Sequence, residues 1–499
     1  MRQDAWKAID EHPLKRLDEL FADEGDRLSR LAHEVAGIYF DWSKTHLDAG
    51  LIEAFTALAE KRGLPSARDG LFAGDIVNPT EDRPAGHVAE RGSGDPEAVA
   101  LAASRRLRMR SLVDAIEAGA FGDVSSVLHI GIGGSALGPA LLVEALGHAG
   151  TRVGVSFLSN IDPQAFEQAV EALDAATTLV VVASKTFATA ETLANMAAAT
   201  AWLRAGGVAD PHGRLIAVTA APDAALEAGI DETRILVVSE AVGGRYSLWS
   251  SVSVSAALAL GWDLFEEFLE GGAEMDRHFR YSEPAANMPL LAAFADLLYT
   301  QRLGCQTRAV FPYDERLRLL VPYLQQLEME SNGKSVTGDG EPAGRPTSPV
   351  LWGGVGTDAQ HAVFQLLHQG TAIVPVEFVA VAEEPASLAD HHRQLLLNAF
   401  AQGAALMRGR SSDDPHRNNP GDRPSSTILL DRLDGRSLGA LIAFYEHRTF
   451  ANAVLLGLNP FDQFGVELGK EIARELAGGA DEGIGLDLST RALIDRAGV

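Results

Sequence analysis

The chain has 499 residues and carries 42 basic against 68 acidic side chains, a net charge of −26. That balance argues against nucleic acid and anionic membrane surfaces as partners, although an anionic small molecule needs only a local positive pocket. The length suits two or three domains, and a hydrophobic content of 46% allows large cores. One cysteine, Cys305, cannot close an internal disulfide, which suits a reducing cytosol.

The N-terminal stretch is charged and reads as helix rather than as a signal peptide. Leu17, Leu20, Phe21, Leu28 and Leu31 recur at helical spacing, so residues 1–95 are expected to form a helical segment packed on a larger domain. A polar, turn-rich stretch from Phe72 to Gly92 precedes a long helix expected from Asp95 to Ala118.

The pattern then changes. Short apolar runs at Val127–Ile132, Val153–Leu158, Leu179–Ala183, Leu215–Thr219 and Ile235–Val238 each lead into a polar or glycine-rich turn, and most are followed by an alanine-rich helical stretch. Such alternation predicts a parallel sheet with crossover helices, and ligands bind such a sheet at the strand C-termini. More helix is expected from Ser251 to Arg302. A second αβ series begins with Arg308–Tyr313, Val350–Gly353 and Ile373–Val381, and Ser411–Ser426 reads as a surface loop. No apolar run approaches the roughly 20 residues of a membrane span. The expected fold class is α/β, with a smaller domain over residues 96–270 and a larger one over residues 271–499.

Several turns carry candidate chemistry. The first strand ends in HIGIGGSALGP, where glycines let backbone amides approach an anion or a sugar before a helix begins. It is not a dinucleotide fingerprint, because Ala136 stands where the third glycine belongs, and a purely structural turn reads equally well from this motif. The third strand ends in SKTFATAET. Ser184, Lys185, Thr186 and Thr189 there offer hydroxyls and an ammonium beside an opening helix, a monophosphate site or else a simple N-cap. In VGGRYSLWS, two glycines precede Arg245 and can aim its permanent cation into a cleft. In LQQLEMESNGKS, Asn332-Gly333 reads as a C-cap, which puts Glu330 in a last helical turn. The negative helix end disfavours a carboxylate, which suits a general base. Gln326 shares its face, whereas Glu328 is rotated away and reads as incidental.

In GGVGTDAQHAVFQ, His361 falls in the first turn of an expected helix. Near the C-terminus, FDQFGVELGK follows Asn459-Pro460, an N-cap and first-turn proline. Seven residues separate Gln463 from Lys470, so both are expected on one helical face. No Cys, His or Asp set has metal-ligand spacing, and no metal or cofactor is expected.

Taken together, GIGGS, SKTF-T-ET, GGRYSLWS, QQ-MESNGK, GT--QH and FDQ-GVELGK resemble the glucose-6-phosphate isomerase family in content and order. So does the earlier N-TE-R---H-A-R, carried by Asn78, Thr80, Glu81, Arg83, His87, Ala89 and Arg91. The resemblance implies two αβα sandwich domains of the sugar-isomerase type, with parallel-rich sheets and extra wrapping helices, in a cytoplasmic homodimer with shared sites. It implies interconversion of glucose 6-phosphate and fructose 6-phosphate through ring opening and an enediolate, as in glycolysis and gluconeogenesis. Glu330 is then the base, and Arg245 stabilises the intermediate. His361 and Lys470 serve ring opening, with Glu191 orienting the histidine. Ser184, Lys185, Thr186 and Thr189 hold the phosphate, and Gly134, Ser135, Gln326 and Gln463 line the sugar pocket. Two alternatives stay open: an isomerase that also accepts mannose 6-phosphate, and a non-catalytic sugar-phosphate-binding regulator. Ala136 stands where the family commonly has aspartate, and GGVGTDA stands where it commonly has GEPGTN.

Overall fold

The computed structural model describes residues 6–383, 387–477 and 486–499. It divides into two compact units, Met1–Pro460 and Phe461–Val499.

The first unit is built on two sheets. Strands β1 (Ala32–Val35) and β2 (Ile38–Asp41) form a hairpin near the N-terminus. Strands β3 (Ser126–Ile130), β4 (Gly154–Leu158), β5 (Thr178–Ala183), β6 (Leu215–Thr219) and β7 (Ile235–Val237) pair in parallel, in the order β4-β3-β5-β6-β7. The five apolar runs read from the sequence are these strands. In β3, β5 and β6 the Val, Ile and Leu side chains are buried because crossover helices cover the sheet, whereas Val155 on β4 is half-buried and Val237 on β7 is exposed. Leu128, Val180, Val182 and Ala217 pack there against Phe187, Ala199 and Leu203.

The order places a switch point between β3 and β5. The chain leaves β3 toward β4 on one side and returns to β5 on the other, so the turns after β3 and β5 open beside one another.

Strands β8 (Thr307–Tyr313), β9 (Val350–Gly353), β10 (Val376–Val381) and β11 (Ser425–Leu430) make the parallel part of the second sheet, ordered β1-β2-β11-β10-β8-β9. The first 95 residues are therefore not wholly helical. Helices Leu17–Asp23 and Arg27–Leu31 bury Leu17, Leu20 and Leu31, but leave Phe21 and Leu28 exposed. The chain then turns through Ala36 and Gly37, both at positive φ, and β2 adds antiparallel to β11. The stretch read as loop to Ser426 also gives way to strand at Ser425.

Helix Gly435–Leu456 is buried along almost its whole length, against the helices Trp262–Tyr281 and Met288–Leu297. Its polar residues are therefore paired: Arg448 with Asp296 and Glu377, and Glu446 with Arg91 and the indole N–H of Trp249.

Among the described residues no helix is long and apolar enough to cross a membrane. The second unit holds a short 3₁₀ turn, Phe464–Val466, and the helices Glu467–Ala477 and Leu488–Ala497.

Candidate active site

The site begins at the glycine-rich turn. Gly133 has φ +58° and ψ −126°, which a side chain would strain. A Cβ on Gly134 would stand 2.0 Å from the Gly244 carbonyl oxygen, so only glycine lets the turn after β3 meet the segment that carries Arg245. A Cβ on Gly133 would stand 2.8 Å from Gln326 Nε2, so the Gln326 amide lies over the same turn. Three motifs far apart in sequence thus converge on a few ångströms of backbone.

Arg245 is buried, at 2% exposure. Its Nε donates to Ser331 Oγ at 2.7 Å, and Nη2 donates to the Pro460 carbonyl at 2.5 Å. Nη1 lies 3.7 Å from Glu330 Oε2. That carboxylate oxygen is buried and accepts no hydrogen bond among the described residues. The Ser331 hydroxyl is also 3.0 Å from Tyr246 Oη, whose ring packs on His87 with centroids 4.8 Å apart. Burial pushes the His87 imidazole well below its usual range, with Arg91 adding to the shift.

Glu330 sits where a π-helical turn, Gln325–Glu330, runs out, and the Gly333 amide closes the end by donating to the Met329 carbonyl at 2.9 Å. The expected C-cap is present, and the extra residue of the π turn bears on which way the carboxylate faces.

The turn after β5 presents Ser184, Thr186 and Thr189 beside the helix Ala190–Ala205. Thr189 holds the N-cap place, yet its side chain makes no capping bond, so the orphan amides of this helix end stay available. Its hydroxyl is 3.4 Å from Ser184 Oγ, and Thr186 is exposed. Lys185 behaves differently from its neighbours. Its ammonium donates to the carbonyls of Glu240 and Val242, at 2.7 and 3.1 Å. Burial, and then nearby Arg83, lower its pKa. Lys185 therefore ties this turn to the segment leading into Arg245.

The remaining candidates lie on other elements of the chain. Glu191 is half-buried in the first turn of the Ala190–Ala205 helix. His361 is exposed in helix Gly356–Gln369, in its second turn rather than its first, and makes no hydrogen bond to Glu330, Arg245 or Glu191. Gln463 and Lys470 both belong to the second unit. Gln463 precedes the 3₁₀ turn with φ −152°, and the helix bearing Lys470 starts only at Glu467. The single helical face expected for that pair does not form, because the chain stays irregular for several residues beyond Pro460.

Residues 41–494 match the phosphoglucose isomerase family. The chain belongs to that family. It is 63% identical to a glucose-6-phosphate isomerase of Rhizorhabdus wittichii, over 99% of this chain and 98% of that one. It is 56% identical to a glucose-6-phosphate isomerase of Zymomonas mobilis, over 99% and 97%. The crystal structure of a glucose-6-phosphate isomerase from Chlamydia trachomatis superposes with a TM-score of 0.89 at 32% identity, covering 99% of this chain and 98% of that chain. The two sheets with their covering helices are thus a sugar-isomerase-type α/β fold.

Sequence reasoning missed several residues that hold this site together. Ser331 and Tyr246 sat inside recognised strings without an assigned part. Glu328, read as incidental, is buried and accepts two hydrogen bonds from Arg308 Nη2 on β8. Asn78 and Thr80, known only as part of a motif, both accept from the Asn459 amide at 2.8 and 2.7 Å. They thereby fix the chain next to Pro460, whose carbonyl receives Arg245. Ala136, which stands where the family commonly has aspartate, is buried. Among the described residues no group of three or more His, Cys, Asp or Glu is arranged to hold a metal ion.

Proposed function

We propose that this chain interconverts glucose 6-phosphate and fructose 6-phosphate. Glu330 moves the proton between carbons 2 and 1, and Arg245 stabilises the enediolate. The observation that carries this reading is the buried Glu330 Oε2, which accepts no hydrogen bond among the described residues and lies 3.7 Å from a buried guanidinium held through its Nε and Nη2. A carboxylate oxygen left without a donor is free to take a proton, and a fixed cation beside it meets charge as it develops. A binding protein would need neither feature.

The Ser184, Thr186 and Thr189 hydroxyls and the helix N-terminus would hold the phosphate, with Lys185 shaping the loop. Gly134, Ser135 and Gln326 would line the sugar, joined by Gln463. His361 and Lys470 would open the ring, with Glu191 orienting the histidine. We also propose a cytoplasmic homodimer, with residues 96–270 as the sugar-phosphate-binding domain and residues 271–499 as the domain of the base. The exposed position of His361, which makes no hydrogen bond to Glu330 among the described residues, supports a site completed by a second copy.

A coupled assay on purified protein with fructose 6-phosphate tests the reaction. Formation of glucose 6-phosphate is expected, and a protein that binds the sugar without converting it would overturn the reading.

A further inference from the structure

The helix Gly134–Leu146 contains Pro139. Proline has no N–H, so the carbonyl four residues earlier, that of Ser135, loses its helical donor. Ring crowding also tilts that carbonyl outward from the helix axis. His129, on β3 and fully buried, meets it: Nε2 lies 2.7 Å from the Ser135 oxygen. Its Nδ1 lies 2.8 Å from Ser255 Oγ. A carbonyl can only accept, so Nε2 carries the proton and Nδ1 accepts from the Ser255 hydroxyl. Burial lowers the imidazole to about 4, which keeps this single-proton form at neutral pH.

We propose that His129 is a positioning residue for the substrate turn, replacing the helical donor that Pro139 removes and so fixing Gly134 and Ser135 against Gly244. The proposal rests on the reading of that turn as a pocket wall. The place is tight: a Cβ on Gly134 would overlap the Gly244 carbonyl, and one on Gly131 would lie 2.8 Å from the Ser135 oxygen. A first helical turn rotated by a fraction of an ångström therefore moves the Ser135 hydroxyl and the backbone facing the sugar.

The two residues form a testable pair. H129L keeps the ring's bulk approximately and deletes the donor. Its KM for fructose 6-phosphate should rise about tenfold with a smaller change in kcat, and 6-phosphogluconate should bind correspondingly more weakly by calorimetry. P139A supplies an N–H at residue 139 that can bond the Ser135 carbonyl. The H129L/P139A double variant should thus return to within about twofold of P139A alone in KM and in 6-phosphogluconate affinity. A histidine that only fills the core gives no such rescue. A double variant as poor as H129L, or an H129L with wild-type KM, overturns the proposal. Should H129L fail to fold, the double variant is compared directly with P139A: equal values sustain the proposal, and a KM about tenfold higher refutes it. Because 6-phosphogluconate binding is read without turnover, a wild-type protein lacking isomerase activity would sink the functional reading while this pairing is still decided.

Discussion

On the proposed reading the chemistry is concentrated at Glu330, and its environment sets the expected outcome of its removal. Glu330→Gln keeps the shape of the side chain and its place beside Arg245 but cannot accept the carbon-bound proton. Turnover should fall by roughly 10²–10⁴-fold or more, while sugar-phosphate binding is largely kept. Purified E330Q is assayed for isomerisation and titrated with 6-phosphogluconate by calorimetry; near-normal turnover would remove Glu330 from the mechanism. Glu328, two residues away, should fail differently. Its carboxylate is buried against Arg308, which also has Asp296 at 3.6 Å and Glu377 at 3.5 Å. Burial raises the Glu328 pKa and the Arg308 charge opposes that rise. Removing one partner of such a buried pair costs about 3 kcal/mol, the low end of the range because two carboxylates remain near Arg308. Glu328→Gln should therefore lower the denaturation midpoint clearly, and an unchanged urea transition would show that the pair contributes nothing. Charge stabilisation by Arg245 also implies that dialysis against EDTA leaves the rate as it was; a loss restored by a divalent cation would contradict that.

The loop after β5 tests how an element, rather than a residue, binds phosphate. Thr186 is exposed and the helix end carries no side-chain cap, while the Lys185 ammonium is occupied by the carbonyls of Glu240 and Val242. Thr186→Ala with Thr189→Ala should raise KM for the phosphorylated sugar on the order of 10²-fold, since on this reading each hydroxyl would donate to a charged acceptor. The measurements are the coupled assay and inhibition by 6-phosphogluconate, and unaltered inhibition would place the phosphate elsewhere. Lys185→Ala should act by loosening the loop, with a loss of stability accompanying the rise in KM. The strands that frame this loop were legible because each is a continuous apolar run closed by a turn. The hairpin β1–β2 was not, because strands of four residues lie within reach of a helical pattern and their alternation, with Ile38 and Phe40 buried, is too short to stand out. Strand β11 begins with two serines, which read as the end of a loop. At the candidate site, the literal strings marked several of the segments that the fold brings together, those of Gly134, Arg245, Gln326 and Glu330. They could not show that the Lys185 ammonium faces carbonyls, that Glu328 is buried, or that His129 reaches Ser135, since these depend on contacts across the fold.

At the scale of the whole molecule, the proposed reading completes each site with a second copy of the chain. His361 is exposed on helix Gly356–Gln369, without a hydrogen bond to Glu330 or Arg245. Leu366 on the same helix and Leu397 and Phe400 on helix Ala389–Arg408 are also exposed, as on a surface that a second copy would cover. In a symmetric dimer with shared sites, His361 of each chain would serve the Glu330 of the other. His361→Ala and Glu330→Gln should each inactivate a homodimer. In the mixed dimer one site would carry both defects and the other neither. Random reassortment makes about half of all dimers mixed, so roughly a quarter of wild-type activity should return when the two inactive variants are co-refolded in equal amounts. Mixed dimers are verified by pull-down through a tag on one variant. Recovery no greater than the sum of the parents, with mixed dimers demonstrably present, would mean that each chain builds its site alone. His361 would then have to reach Glu330 by a movement of its own helix.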